Sequence, residues 1–154
     1  SPKEVLKYKP DGIFLTNGPG DPAENTEIIQ NLRELLESGI PMMGICLGHQ
    51  LLALAHGFQT EKMKYGHRGA NQPVKDGKTG RIYITSQNHG YAVREDSIDT
   101  SVAETSFVNV NDGTNEGLRY KNYPVYSVQF HPEACGGPKD TDFLFDDFLG
   151  MLKR

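Results

Sequence analysis

The sequence predicts a mixed α/β domain, with a central, mostly parallel sheet flanked by helices. Three observations carry that prediction. Over residues 13–56, short apolar runs alternate with helical patterns in the order strand, helix, strand, helix. Such alternation implies parallel strands joined by right-handed crossovers. A further strong strand pattern, Val125–Phe130, is followed by a final amphipathic helix. The 154 residues suit one domain with a sizeable core, and no repeat, low-complexity segment or linker divides them.

The elements follow in order. Ser1 and Pro2 read as N-cap and first turn of a short helix ending near Tyr8. Ile13-Phe14-Leu15 is a short buried strand. Residues 17–22 form a loop dense in glycine and proline. Asn25 can cap the next helix, whose Ile28, Ile29, Leu32, Leu35 and Leu36 form one stripe, and Gly39 ends it. The run from Ile40 to Ile45 is a strand, and the helix from Leu47, with strong helix formers over Leu51–His56, is ended by Gly57. From Phe58 to Tyr120 the signals are strand and turn: Arg81–Thr85 alternates, and Asn111-Asp112-Gly113-Thr114 reads as a hairpin turn between 101–110 and 116–120. Asp140 or Thr141 caps the last helix, with Phe145, Phe148, Leu149 and Leu152 inward.

Composition excludes several classes. A net charge of -4 gives no basic surface for nucleic acid. No apolar run approaches a membrane span, and no signal segment opens the chain, so a cytoplasmic protein is expected. Cys46 and Cys135 read as reduced thiols. No Cys/His spacing fits zinc, so no metal is expected.

The chemistry centres on Gly44-Ile45-Cys46-Leu47-Gly48-His49-Gln50. Cys46 stands where a strand turns into a helix, in the thiol form of the Gly-x-Ser-x-Gly nucleophile elbow. The helix N-terminus offers unpaired N–H groups and a positive partial charge, which favour a thiolate. The bland alternative is a small buried core cysteine. A nucleophile needs a base and an orienting group. Of five histidines, His131 directly follows a buried strand, where open α/β sheets place their sites. Glu133, two residues on, shares its side of an extended segment. His131 could equally be a solvated loop residue. The Leu47 N–H is one oxyanion donor and Gly18, in Gly18-Pro19-Gly20, another, although Gly-Pro-Gly alone marks only a tight turn.

Three segments together, Asn17–Pro22, Gly44–Gln50 and His131-Pro132-Glu133, resemble the signature motifs of class I (triad-type) glutamine amidotransferases. Lys64–Val74, Ser86–Val93 and Gly136–Asp140 narrow the resemblance to the small, glutamine-hydrolysing subunits of carbamoyl phosphate synthetases. The corresponding subunits of anthranilate and GMP synthases fit these later stretches less well. The resemblance implies a flavodoxin-like fold. It also implies that residues 1–154 are an amidotransferase domain lacking its first strand and helix, which would leave an apolar sheet edge.

It further implies hydrolysis of L-glutamine by a triad of Cys46, His131 and Glu133, with Gly18, Gly20, Leu47, Gln50, Asn88, Gly90 and Tyr91 around the substrate. Gln50 lies one helical turn after Cys46, so its amide can share the sulfur's face. Asn88-His89-Gly90 is also good turn chemistry. Ammonia would pass to a large synthetase subunit holding the ATP and metal, so no cofactor is expected here. His89 and the segment around Arg68 are candidates for interface or ammonia-path roles, although solvated loops are the commoner fate of such stretches. Two rival readings remain: a cysteine peptidase on the same elbow, and an inactive scaffold that only binds the synthetase.

Overall fold

Met42 and Met43 are both fully buried, yet they enter different cores. Neighbouring side chains on a strand point to opposite faces, and here both faces are covered. The computed structural model describes residues 1–16 and 21–131, and the helical residues 144, 146, 148 and 150. Along the chain run α1 (Pro2–Lys7), β1 (Ile13–Leu15), α2 (Thr26–Leu36), β2 (Met42–Ile45) and α3 (Leu47–Ala55). Then come β3 (Thr60–Asp76), β4 (Ile82–Val93), β5 (Ala103–Asn109), β6 (Asn115–Tyr120) and β7 (Val125–Val128).

Local chemistry accounts for most boundaries. The Ser1 side chain accepts from the Glu4 N–H, and Pro2 occupies the first turn of α1. Ile29, Leu32, Leu35 and Leu36 of α2 are buried as one stripe. Asn25 is the N-cap of α2, but its side chain turns back to the carbonyls of Asp21 and Pro22. Gly39 (φ 74°) follows α2 and Gly57 (φ 85°) follows α3, both in the left-handed region that side chains disfavour.

The seven strands form one sheet in the order β1-β2-β7-β6-β5-β3-β4. This corrects the expected mostly parallel sheet. Among the described residues only β1–β2 and β2–β7 pair in parallel. The pairings β7–β6, β6–β5, β5–β3 and β3–β4 are all antiparallel. The reason lies in the connections. A parallel pair needs a long crossover, usually helical. Residues 58–120 carry tight turns instead, so that stretch can only fold back on itself. The hairpin at 111–114 joins β5 to β6 as expected.

Helices α2 and α3 cover one face, packing Leu32, Leu36, Leu51 and Leu52 with Met42, Leu118 and Val125. On the other face Met43, Ile45, Tyr126, Val128 and Phe130 pack with Leu144 and Phe148. Of the residues expected inward on the last helix, Phe148 is buried; Phe145, Leu149 and Leu152 lie outside the described residues. No described helix is long and apolar enough to cross a membrane.

Candidate active site

Cys46 closes β2 and stands at the N-cap of α3, with φ 55° and ψ −109°. That backbone costs a non-glycine residue about 1–3 kcal/mol and persists only where its surroundings hold it. They do so here. The Cys46 N–H donates to the Val128 carbonyl (2.9 Å), and its own carbonyl accepts from the Gln50 N–H (3.3 Å), starting the helix. The flanking glycines are required by close approach. A Cβ on Gly44 would lie 2.7 Å from Leu52 Cδ1 and 2.8 Å from the Gly48 carbonyl carbon. One on Gly48 would lie 2.5 Å from the Leu15 carbonyl oxygen. The elbow spacing thus lets the start of α3 press against β1 and β2.

His131 reaches the same place from the end of β7. Its N–H donates to the Ser86 carbonyl (3.0 Å), bridging it antiparallel to β4. Cys46 and His131 line one cavity of about 760 Å³ with Leu47, Gln50, Asn88, Gly90 and Tyr91. Seven residues singled out from the sequence therefore converge from β2, α3, β4 and the end of β7. Gly18, Gly20, Glu133 and Cys135 lie outside the described residues. Asn88-His89-Gly90 is not a turn but the interior of β4, where Asn88 is exposed into the cavity and Gly90 and Tyr91 are partly buried. Lys62, Lys64 and Arg68 of β3 give the cavity a cationic side.

The histidines sort by position. His49 faces away into the core, its Nδ1 2.7 Å from Ser127 Oγ, and burial pushes its pKa down to about 3. His56 stacks on Tyr120 (ring centroids 4.0 Å apart). His89 lines the cavity; burial, with the charges of His67 and Arg68, lowers its pKa to about 4, so it is neutral near pH 7. Its Nδ1–H donates to the Tyr91 carbonyl (2.8 Å), and its Nε2 lies 2.8 Å from Gln87 Oε1 and 3.2 Å from His67 Nδ1.

His67 is the charged partner. Burial works against its proton, but Glu116 and Asp112 outweigh it and lift the pKa to about 9. Its Nε2 meets Asp112 Oδ2 at 2.7 Å, and its Nδ1 lies 3.5 Å from Glu116 Oε1. Burial raises the Glu116 carboxyl, against the opposing pull of His67 and Gln87. Gln87 donates to Glu116 Oε2 and completes the cluster. Among the described residues, His67, His89 and Glu116 are the group whose ligand atoms lie near enough together, within 4.8 Å, to hold a metal ion. Here those atoms face one another and Asp112 and Gln87, as a hydrogen-bonded ion cluster does.

Sequence reasoning passed over Gln129, Glu116 and Asp112. For Gln129 a signal existed: it stands two residues before His131 on an extended segment, hence on the same side. For Glu116 and Asp112 none did, because their partner His67 is more than 40 residues away along the chain.

Known proteins resemble this chain over nearly all of its length. The chain is 58% identical over 151 residues to the carbamoyl phosphate synthase small chain of Methanocaldococcus jannaschii, covering 98% of this chain and 42% of that one. It is 56% identical over 153 residues to the small chain of Oceanobacillus iheyensis, covering 99% and 42%. The chain thus spans about two fifths of the length of these curated relatives. The crystal structure of a candidate GMP synthase component from Thermoplasma acidophilum shares the fold, with TM-score 0.81, 22% identity, and coverage of 97% of this chain and 76% of that one. The family model for class-I glutamine amidotransferases matches residues 1–151. By its elbow, its paired strand ends and this match, the chain belongs to the class-I glutamine amidotransferases.

Proposed function

We propose that this chain hydrolyses the side-chain amide of L-glutamine and delivers the ammonia to a large synthetase subunit. That subunit would use ATP, its metal and bicarbonate to make carbamoyl phosphate for arginine and pyrimidine synthesis in the cytoplasm. One observation carries the chemistry: a cysteine in a left-handed elbow at a helix N-terminus shares a cavity with a histidine from another strand end. Similarity to two small chains of carbamoyl phosphate synthase supports the choice of acceptor.

In this reading the Cys46 thiolate attacks the amide carbon. The negative oxygen that develops accepts from the Leu47 N–H, with Gly18 as the second donor. His131 gives its proton to the departing nitrogen, and ammonia leaves behind a glutamyl thioester. His131 then takes a proton from water, which attacks the thioester carbon, releasing glutamate and restoring Cys46. Glu133 would orient His131 and stabilise its cation, as the acid does in related triads. Gln50, Asn88, Gly90, Tyr91 and Gly20 would hold the rest of glutamine.

Cys46→Ser is the decisive variant. It should lower ammonia release from glutamine at least roughly 10³-fold and abolish labelling by a glutamine-analogue alkylator. Synthesis by the assembled complex from free ammonia should survive. Glutamine-dependent synthesis that persisted in the variant would sink the proposal. Cleavage of peptides in preference to glutamine would move the assignment to a peptidase.

A further inference from the structure

Gln129 is fully buried, and its side chain lies between Gln50 and the nucleophile. Its Nε2 sits 3.7 Å from Cys46 Sγ, and its Oε1 accepts from Gln50 Nε2 at 2.8 Å. Gln50 Nε2 also donates to the Tyr91 main-chain carbonyl at 2.7 Å. The direction of every link follows from one fixed group. A main-chain carbonyl can only accept, so the end of Gln50 facing Tyr91 is its NH₂. The second proton of that NH₂ points at Gln129, so the end of Gln129 facing Gln50 must be its oxygen. The remaining end, an N–H, is then aimed at sulfur. Neither glutamine can flip without placing two acceptors, or two donors, face to face in a buried site, at a cost of about 1–3 kcal/mol. The backbone of Gln129 is pinned as well, its N–H donating to the Glu116 carbonyl at 2.9 Å.

We propose that Gln129 is a positioning residue for the nucleophile: its oriented N–H holds the Cys46 sulfur in place and favours the thiolate over the thiol. A buried N–H aimed at sulfur stabilises the anion more than the neutral thiol. Its aim depends on the Gln50–Tyr91 contact, so the substrate-facing Gln50 and the nucleophile are joined through Gln129. A glutamine molecule that drew the Gln50 amide away would loosen the same link. The proposal rests on the reading of Cys46 as nucleophile, but the two can be tested apart.

Alkylation of Cys46 by iodoacetamide, followed against pH in the full chain, reads the thiolate without any glutamine. Gln129→Met keeps the length and apolar stem and removes both polar ends. Its alkylation midpoint should rise by about half a pH unit to one unit, leaving roughly three- to tenfold less thiolate below the midpoint. A purely structural role would instead scale the rate alike at every pH. A midpoint unchanged in folded Gln129→Met overturns the proposal.

Should that variant fail to fold, the wild type decides. The Gln129 side-chain amide signal in ¹⁵N NMR should titrate with the alkylation midpoint and lose that inflection in Cys46→Ser. A signal flat through the midpoint overturns the proposal equally. If both shifts occur while glutamine releases no ammonia, the Gln129 assignment stands and the glutaminase reading falls.

Discussion

The two halves of the sheet are stabilised by different means. Strands β2 and β7, which pair in parallel, are buried at every residue on both faces. Apart from the Ser127–His49 contact, their neighbours are mainly aliphatic, aromatic and methionine side chains of two cores. Strand β4, in the antiparallel half, alternates between buried and exposed positions over Ile82–His89, and its buried positions include Thr85, Gln87 and His89. Its partner β3 adds buried His67, and β6 adds buried Glu116. One half thus depends mainly on shape and the other on a buried polar and ionic cluster. The cavity takes its walls from both, with Cys46, Leu47 and Gln50 on one side and residues of β3 and β4 on the other.

The contrast predicts how each half breaks. Of the substitutions considered, His67→Leu should cost the most stability. It leaves the fully buried Glu116 without its cation, and losing one partner of a buried pair costs about 3–5 kcal/mol. Urea unfolding would measure it, and adding Glu116→Gln should restore part of the loss. Two losses that simply add would show that the cluster is not the unit argued here. In the shape-dependent half, Gly48→Ala drives a methyl to within 2.5 Å of the Leu15 main-chain oxygen. Overpacking of that kind costs about 1–3 kcal/mol. A melting temperature equal to the wild type's would mean that the elbow yields more easily than its contacts indicate.

The pH dependence of stability sharpens the comparison. His67 holds its proton more tightly folded, at about 9, than the ordinary 6.5 of the unfolded chain. Its stabilisation is therefore whole below pH 6.5 and is lost as pH rises through 9. His67→Leu should remove this alkaline limb. On the acid side, His49 in α3 and His89 in β4 are held neutral, with pKa values near 3 and 4. The unfolded chain takes up protons below 6.5 that these two refuse, so stability should fall from pH 6.5 downward in both halves. Denaturant midpoints measured from pH 4 to 10 would reveal both limbs. The smallest effect is expected at the exposed Arg94–Asp96 pair, where Arg94→Ala should leave the melting temperature unchanged within error.

Much of the site was legible because it is built locally. Gly44, Cys46 and Gly48 fall within five residues, so one turn shows both the strain and the glycines that accommodate it. His131 was legible as the residue after a buried strand, and Gln50 as one helical turn beyond Cys46. Asn88 and Gly90 were harder, since Asn-His-Gly favours a turn in isolation. Pairing of β4 with β3 overrides that preference and draws the segment straight. The mostly parallel expectation failed for a related reason. The strand–helix alternation over residues 13–56 was extended to the whole sheet, while the turns of residues 58–120 dictated the opposite sense.

The linear order of residues thus determined most of the elements, the elbow and the candidate residues that meet at the cavity. Each follows from contacts within a few residues, where backbone geometry and side-chain periodicity leave little choice. Only the tertiary structure decided which strands pair and in which sense, that Asp112 and Glu116 share the proton-holding His67, and that Gln129 directs an N–H at the sulfur. Those contacts join residues 45–83 positions apart. Which distant partner a buried polar group finds depends on where the whole sheet closes, and no local pattern encodes that.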